Sequence, residues 1–385
     1  MNPIKVGIIG YGFSSKCFHL PFILALPDRF EVTAFFQRAE APKDPKAAEP
    51  GSHCTVDHPD AKHYRTADDF FADPDVEVVI VCSRTDTHAE YAEKALLAGK
   101  HAVVEKPFTR TTEEADRIIS VARERGLILT VFQNRRWDSD FLTLKHLIQN
   151  DALGDIKELE IHFDVDFPFW MRNMNKREYT PGDGMMFGLG SHTLDQAQVL
   201  FGRPASVTCF LRVLRGVESE VDDSFTAILQ YGPPHQDLLV TVKTNIASCM
   251  KEQLKYFVRG TKGSYVKHGT CIQERQIFDS LSPRDPKFGV EPVGLHGTLT
   301  TTSTCFDGSS QTPGVIQGED PASTRQYVGR YPTLPGHWLG FYENLADAVQ
   351  GTAEIAVEPG TSRDVIRTIE LGRMSHGQAR TVPWS

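Results

Sequence analysis

Residues 4–15 read Ile-Lys-Val-Gly-Ile-Ile-Gly-Tyr-Gly-Phe-Ser-Ser, and the fold is decided here. An apolar run rich in Ile and Val, Ile4–Ile9, predicts a strand buried on both faces. It runs into Gly10-Tyr11-Gly12, followed by a helical pattern with Ser15 where a dinucleotide fingerprint carries its third glycine. Gly10 permits the tight turn, Gly12 lets backbone approach a pyrophosphate, and Ser15 is small enough to keep the next helix close to the strand. A glycine turn of this kind also occurs in α/β proteins that bind no nucleotide. Context favours the nucleotide reading, because the motif follows a strand and a second strand ends where a ribose-reading residue belongs.

Further apolar runs follow at Val32–Phe36, Val76–Cys82, His101–Glu105 and Ile128–Phe132. Between them, Thr87–Ala98 and Thr112–Arg125 have helical patterns that end at Gly99 and Gly126, where left-handed C-caps are wanted. Strands alternating with helices through short connections predict a parallel, doubly wound Rossmann sheet over residues 1–133. Pro21 predicts a kink or restart of the first helix near Leu20. The rhythm changes afterwards. Asp138–Gln149 and His192–Phe201 read as helices. Ile156–Phe167, Ala205–Leu214, Phe225–Tyr231, Leu238–Asn245 and Gln253–Arg259 read as strands without intervening helices. Residues 134–385 are therefore expected to form an α+β domain with an open, mainly antiparallel sheet. Ser280–Gly336, dense in Pro, Gly, Ser and Thr, reads as an irregular insertion, and Trp338–Gln350 and Thr361–Gly377 as closing helices.

A length of 385 residues at roughly 100–200 per domain agrees with two domains. The 40% hydrophobic and 24% charged residues are ordinary for a folded, water-facing chain and exclude disordered or collagen-like classes. A net charge of −9 has the wrong sign for nucleic-acid binding. The seven cysteines are odd in number and scattered, with no zinc-finger spacing, so reduced thiols and no metal are expected. Residues 1–10 lack an apolar signal core, and no run approaches the ~18 apolar residues of a membrane span, so a cytoplasmic protein away from membranes is expected.

Three further places carry chemistry. Gln37-Arg38 stands at the second strand end, where an NAD-selective site usually has an acid. Arg38 pairs with the 2′-phosphate of NADP in one reading, with NAD the alternative, and is a solvated surface arginine in the other. Glu105-Lys106-Pro107 ends another strand, on the side where open parallel sheets bind ligands, and an ammonium there can pass a proton as hydride moves. Finally, Gly188-Leu-Gly-Ser-His192-Thr-Leu-Asp195 sets His192 and Asp195 three residues apart at a helix start, on one face.

Together, GYGFSS at 10–15, EKP at 105–107, NRRWDSDF at 134–141, GLGSHTLDQ at 188–196 and GTKGSYVKHG at 260–269 resemble the Gfo/Idh/MocA family of NAD(P)-dependent oxidoreductases. NRRWDSDF resembles one subgroup of it. The resemblance implies hydride transfer to or from a sugar, polyol or related small molecule, in a homodimer or homotetramer. It implies Lys106 and His192 as catalytic residues. It implies cofactor contacts from Gly10, Gly12, Phe13, Ser14, Gln37, Arg38, Ser83, Arg84, His88, Glu105 and Lys106. Trp170, Arg172, Asp183 and Asp195 are expected at the substrate.

Two departures stand out. Gly188 replaces the leading Asp of the family's Asp-x-Gly-x-His-x-x-Asp motif, so Asp183 or another acid substitutes, or Lys106 and His192 suffice, or the reaction is lost. Arg84 replaces the proline of the usual Thr-Pro-Asn and is expected either on an anionic ligand or in a surface salt bridge. A non-catalytic nucleotide-binding sensor and a redox-neutral, nicotinamide-dependent glycoside hydrolase remain the alternatives.

Overall fold

The computed structural model describes residues 2–168, 171, 175–303, 315–316 and 326–384. Trp170 and Arg172 lie outside them. The chain divides into two compact units, one comprising Met1–Asn134, Glu274–Phe288 and Trp338–Ile366, the other Arg135–Gln273, Gly289–His337 and Arg367–Ser385.

In the first unit, β1 (Ile4–Ile9), β2 (Phe30–Phe36), β3 (Lys62–Tyr64), β4 (Val78–Val81), β5 (His101–Val104) and β6 (Leu129–Val131) form one sheet. Its order is β3-β2-β1-β4-β5-β6 and every pairing is parallel, the Rossmann arrangement expected. All four residues of β4 are buried, as parallel strands between two helix layers require. The helix Thr112–Arg125 shows how local sequence fixes an element: the Thr111 hydroxyl accepts from Glu114 N–H at its start, and Gly126 closes it at φ +64°. The fingerprint is followed by a five-residue π-helical turn, Ser15–His19, and then a short α-helix, Leu20–Leu24, with Pro21 in its first turn. The restart expected at Leu20 is present.

The second unit is built on a mixed sheet of β7 (Ile156–His162), β8 (Ser206–Arg212), β9 (Ser224–Gln230), β10 (Leu239–Thr244), β11 (Leu254–Gly260), β12 (Gly263–His268), β13 (Gly297–Thr301), β14 (Val315–Ile316), β15 (Gln326–Tyr331) and β16 (Val382–Pro383). Its order is β14-β15-β13-β12-β11-β7-β10-β9-β8-β16, antiparallel except where β7 meets β10. Side chains alternate: Val207 and Cys209, Phe225, Ala227 and Leu229, and Val240 and Val242 are buried. The helix Gly190–Phe201, whose first nine residues are all buried, packs against β10 and β7.

Two expectations need correction. The segment expected as an irregular insertion supplies β13, β14 and β15, which extend the sheet through backbone pairing that a run such as Gly-Thr-Leu-Thr-Thr supports without strong hydrophobic alternation. The expected division at residue 133 also changes. Residues 274–288 and 338–366 fold with the Rossmann sheet, because Trp338 is fully buried 6.1 Å from the rings of Phe18 and Phe22, and Phe288 lies 6.0 Å from Phe22. Removing that indole leaves a cavity, so Trp338→Ala is expected to cost roughly 3–5 kcal/mol, read as an earlier urea midpoint of the nucleotide-binding unit.

Candidate active site

The carboxyl ends of β1, β2, β4 and β5 bring together most of the first unit's predicted residues. Gly10 has φ +91°, and a β-carbon on it would lie 2.8 Å from the Cys82 carbonyl oxygen, so only glycine fits. Around Gly12 the space is open, with nothing within 4 Å of where a β-carbon would stand. Phe13 is 60% exposed and flanks this turn, its ring 5.6 Å from Phe18 and 5.9 Å from Phe278. Sequence reading missed Phe278, which the segment 274–288 delivers.

Glu105, at the end of β5, organises this region. It is 6% exposed and engages three partners. The Ser14 hydroxyl donates to it, His19 Nε2 lies 3.0 Å from its Oε1, and the Lys106 amide donates to Oε2 at 2.8 Å. His19 Nδ1 in turn lies 2.5 Å from the buried Tyr342 hydroxyl, and its ring packs at a tilt 4.2 Å from that of Phe132. Burial alone would raise the Glu105 pKa. His19, the Lys106 charge and Ser14 outweigh that and bring it to about 2. Lys106 is half-buried, and the Lys106–Pro107 peptide is cis.

At the end of β2, Gln37 uses its side-chain oxygen on the Cys54 amide (3.1 Å) and its carbonyl on His63 Nε2 (2.8 Å). Gln37 thus clamps the two segments that flank the end of β2. Arg38 is exposed, and its guanidinium has no ion-pair partner among the described residues. After β4, the Ser83 hydroxyl accepts from Thr87 at 2.8 Å. Two further predicted cofactor residues flank this strand end. His88 is 1% exposed and its nitrogens lie 2.8 Å from the Pro107 carbonyl and 3.1 Å from that of Ser83, so it staples the ends of β4 and β5. The Arg84 side chain is 88% exposed and sits 3.5 Å from Asp86.

The second unit carries His192 in the first turn of the helix Gly190–Phe201, 4% exposed, its ring 6.5 Å from Phe163. Asp195, expected at the substrate, is instead held in a bidentate pair by Arg136, with distances of 2.8 and 2.7 Å and 2% side-chain exposure. This pair ties NRRWDSDF to the His192 helix. Asp183 is also engaged, by Lys176 Nζ at 2.6 Å and by the Thr180 amide and hydroxyl. Burial, which would raise its pKa, is outweighed by Lys176 and Thr180, and the carboxyl stays ionised. A β-carbon at Gly188 would meet only Met185, at 3.5 and 3.8 Å, so the backbone does not require glycine there.

The carboxylate nearest this turn is one the sequence did not single out. Asp222 accepts from the Met186 amide at 2.9 Å and from Arg373 at 2.8 Å, and a β-carbon on Gly184 (φ +93°) would collide with it. Its burial pushes the pKa up despite these donors. No sequence signal marks it, since it lies outside every motif.

Comparison with known proteins identifies these features. Residues 4–133 match the profile described as oxidoreductase family, NAD-binding Rossmann fold, and residues 141–266 match the GFO/IDH/MocA C-terminal domain. The chain belongs to the Gfo/Idh/MocA family. An uncharacterized oxidoreductase of Schizosaccharomyces pombe is 37% identical over 353 residues, 91% of this chain and 90% of that one. The NADP-dependent scyllo-inositol 2-dehydrogenase IolW of Bacillus subtilis is 30% identical over 383 residues, 99% of this chain and 96% of that one. Among solved structures, the oxidoreductase YvaA from Bacillus subtilis superposes with a TM-score of 0.84 at 29% identity, covering 100% of this chain and 99% of that one. As a Gfo/Idh/MocA protein the chain is an NAD(P)-dependent oxidoreductase. Among the described residues no helix is long and apolar enough to cross a membrane.

The Glu105 network sets a pH dependence for this family member. Because the folded-state pKa lies below the unfolded value of 4.5, the carboxylate stabilises fully above pH ~4.5, and that contribution is lost as pH falls towards 2. Glu105→Gln should remove this acid limb and cost a few kcal/mol at neutral pH, measured by urea unfolding at a series of pH values.

Proposed function

We propose that the protein is an NADP(H)-dependent oxidoreductase that interconverts a hydroxyl and a carbonyl on a sugar, polyol or related small molecule, with NAD as the weaker cofactor. The observation that carries this reading is the fixing of Lys106 by Glu105 at the carboxyl end of β5, on the ligand-binding side of a Rossmann sheet. The cradle fits the cofactor: Gly10 makes the tight turn, Gly12 leaves backbone bare beside open space, and Arg38 offers a cation with no ion-pair partner among the described residues where a 2′-phosphate belongs. When bound, the cofactor supplies or accepts hydride.

The chain's own residues do the rest. Lys106 Nζ gives or takes the proton of the substrate oxygen, and His192 orients that oxygen. IolW, similar over nearly the whole length, is named for NADP and for a cyclic polyol, and both support this reading. An inositol 2-dehydrogenase of Gluconacetobacter diazotrophicus, 43% identical over 100 residues, points the same way. The open sheet serves as subunit contact in a homodimer or homotetramer, with Phe210 on β8 and Leu239 on β10 exposed on its outer face.

A second reading, a nucleotide-binding sensor without turnover, is favoured by one feature: position 188 has no carboxylate, and Asp183 is committed to Lys176. One assay separates the two. Wild type is offered polyols, scyllo-inositol included, with NADP+. Turnover that falls by roughly 10²–10⁴ in Lys106→Ala, with NADPH affinity kept, supports catalysis; bound NADPH with no turnover on any polyol supports the sensor. For cofactor choice, Arg38→Ala is expected to weaken NADP+ binding by about 10–100-fold and to leave NAD+ binding within about twofold, read by fluorescence titration.

A further inference from the structure

His53, Cys54 and His63 form a cluster that the reaction does not use. Each offers one ligand atom, and the three atoms lie within 4.8 Å of one another. They come from two elements of the Rossmann unit. His53 and Cys54 open the short helix Cys54–Asp57, and His63 is the middle residue of the edge strand β3, paired with Phe35 of β2. His53 is 4% and Cys54 1% exposed, while His63 is half-buried, so the cluster is closed on one side and open on the other.

The surroundings prepare these side chains as ligands. His63 Nε2 donates to the Gln37 carbonyl at 2.8 Å, which fixes the tautomer and leaves Nδ1 with a lone pair and no hydrogen-bond partner among the described residues. Gln37 also holds the Cys54 amide through its side chain, so one residue pins both ligand-bearing segments. Cys54 Sγ lies within reach of the Thr55 backbone amide and 3.9 Å from His53 Nδ1. That nitrogen now caps the helix by accepting from Thr55, and an ion would take the same lone pair.

We propose that His53, Cys54 and His63 bind a borderline-soft divalent metal ion, zinc in the first instance, with water completing a tetrahedron. One thiolate and two imidazoles suit zinc and reject magnesium or calcium, which want oxygen. Bond lengths of about 2.3 Å to sulfur and 2.0–2.1 Å to nitrogen separate neighbouring ligand atoms by roughly 3.3–3.6 Å, so closure needs side-chain shifts of about 1 Å. The thiol proton leaves to solvent as the metal–sulfur bond forms. The ion would cross-link β3 to the connection that follows Arg38, holding in place the turn that reads the ribose.

Cobalt(II) tests this on the full-length protein, stripped with a chelator and titrated with the metal alone. The expected result is a thiolate-to-cobalt charge-transfer band that saturates at one ion per chain, is erased by zinc, and is absent from a folded Cys54→Ser. A wild-type titration without that band overturns the site, as does a band that persists in Cys54→Ser. Should Cys54→Ser fail to fold, His63→Gln decides: cobalt affinity lowered at least about tenfold supports the site, and unchanged affinity overturns it.

Discussion

Glu105 carries a full negative charge into the end of an otherwise apolar parallel sheet, and much of the first unit is arranged to keep it there. An isolated carboxylate at that depth would take up a proton or force the chain apart. Its charge persists because Ser14 comes from the fingerprint, His19 from the turn after it, and the Lys106 amide from the next residue, while Tyr342 anchors His19 from behind. The glycine-rich turn and the lysine strand are thereby locked to one another by a single side chain. The same constraint explains why residues 338–366 fold with the Rossmann sheet: the network is incomplete without Tyr342.

The second unit solves a related problem twice. Arg136 and Asp195 neutralise one another bidentately at 12% and 2% side-chain exposure, fixing the start of the His192 helix to the segment that follows β6. Arg373 and Asp222 do the same for the turn ahead of that helix. Pairs this buried add little net stability over an apolar packing, but losing one partner strands the other, so they act mainly as devices that admit one arrangement of the helix.

Much of this was legible in the sequence. The parallel strands announced themselves because burial on both faces demands unbroken Val and Ile, and the helical pattern Thr112–Arg125 with Gly126 after it marked a helix to the residue. What escaped was whatever depends on contacts between distant residues. His19, Tyr342 and Asp222 sit in no motif, and only three-dimensional packing reveals what each one satisfies. Asp195 and His88 show a second limit: both are polar residues in motif positions, and a motif constrains which residue is present without saying that Arg136 or the Pro107 and Ser83 carbonyls engage it. β13 escaped for a third reason: Gly-Thr-Leu-Thr-Thr has little hydrophobic alternation, and its strand forms from backbone pairing between β12 and β15.

Gly188 is where these arguments meet. Its backbone would accept a β-carbon in ordinary contact with Met185, so the missing carboxylate is not a concession to packing. Nor does a nearby acid stand in freely. Asp183 is spent on Lys176 and Thr180, and Asp222 on Met186 and Arg373. Both carboxylates that come near this turn are therefore spent on neighbours within the second unit, one on a lysine and a threonine, the other on an arginine and a backbone amide.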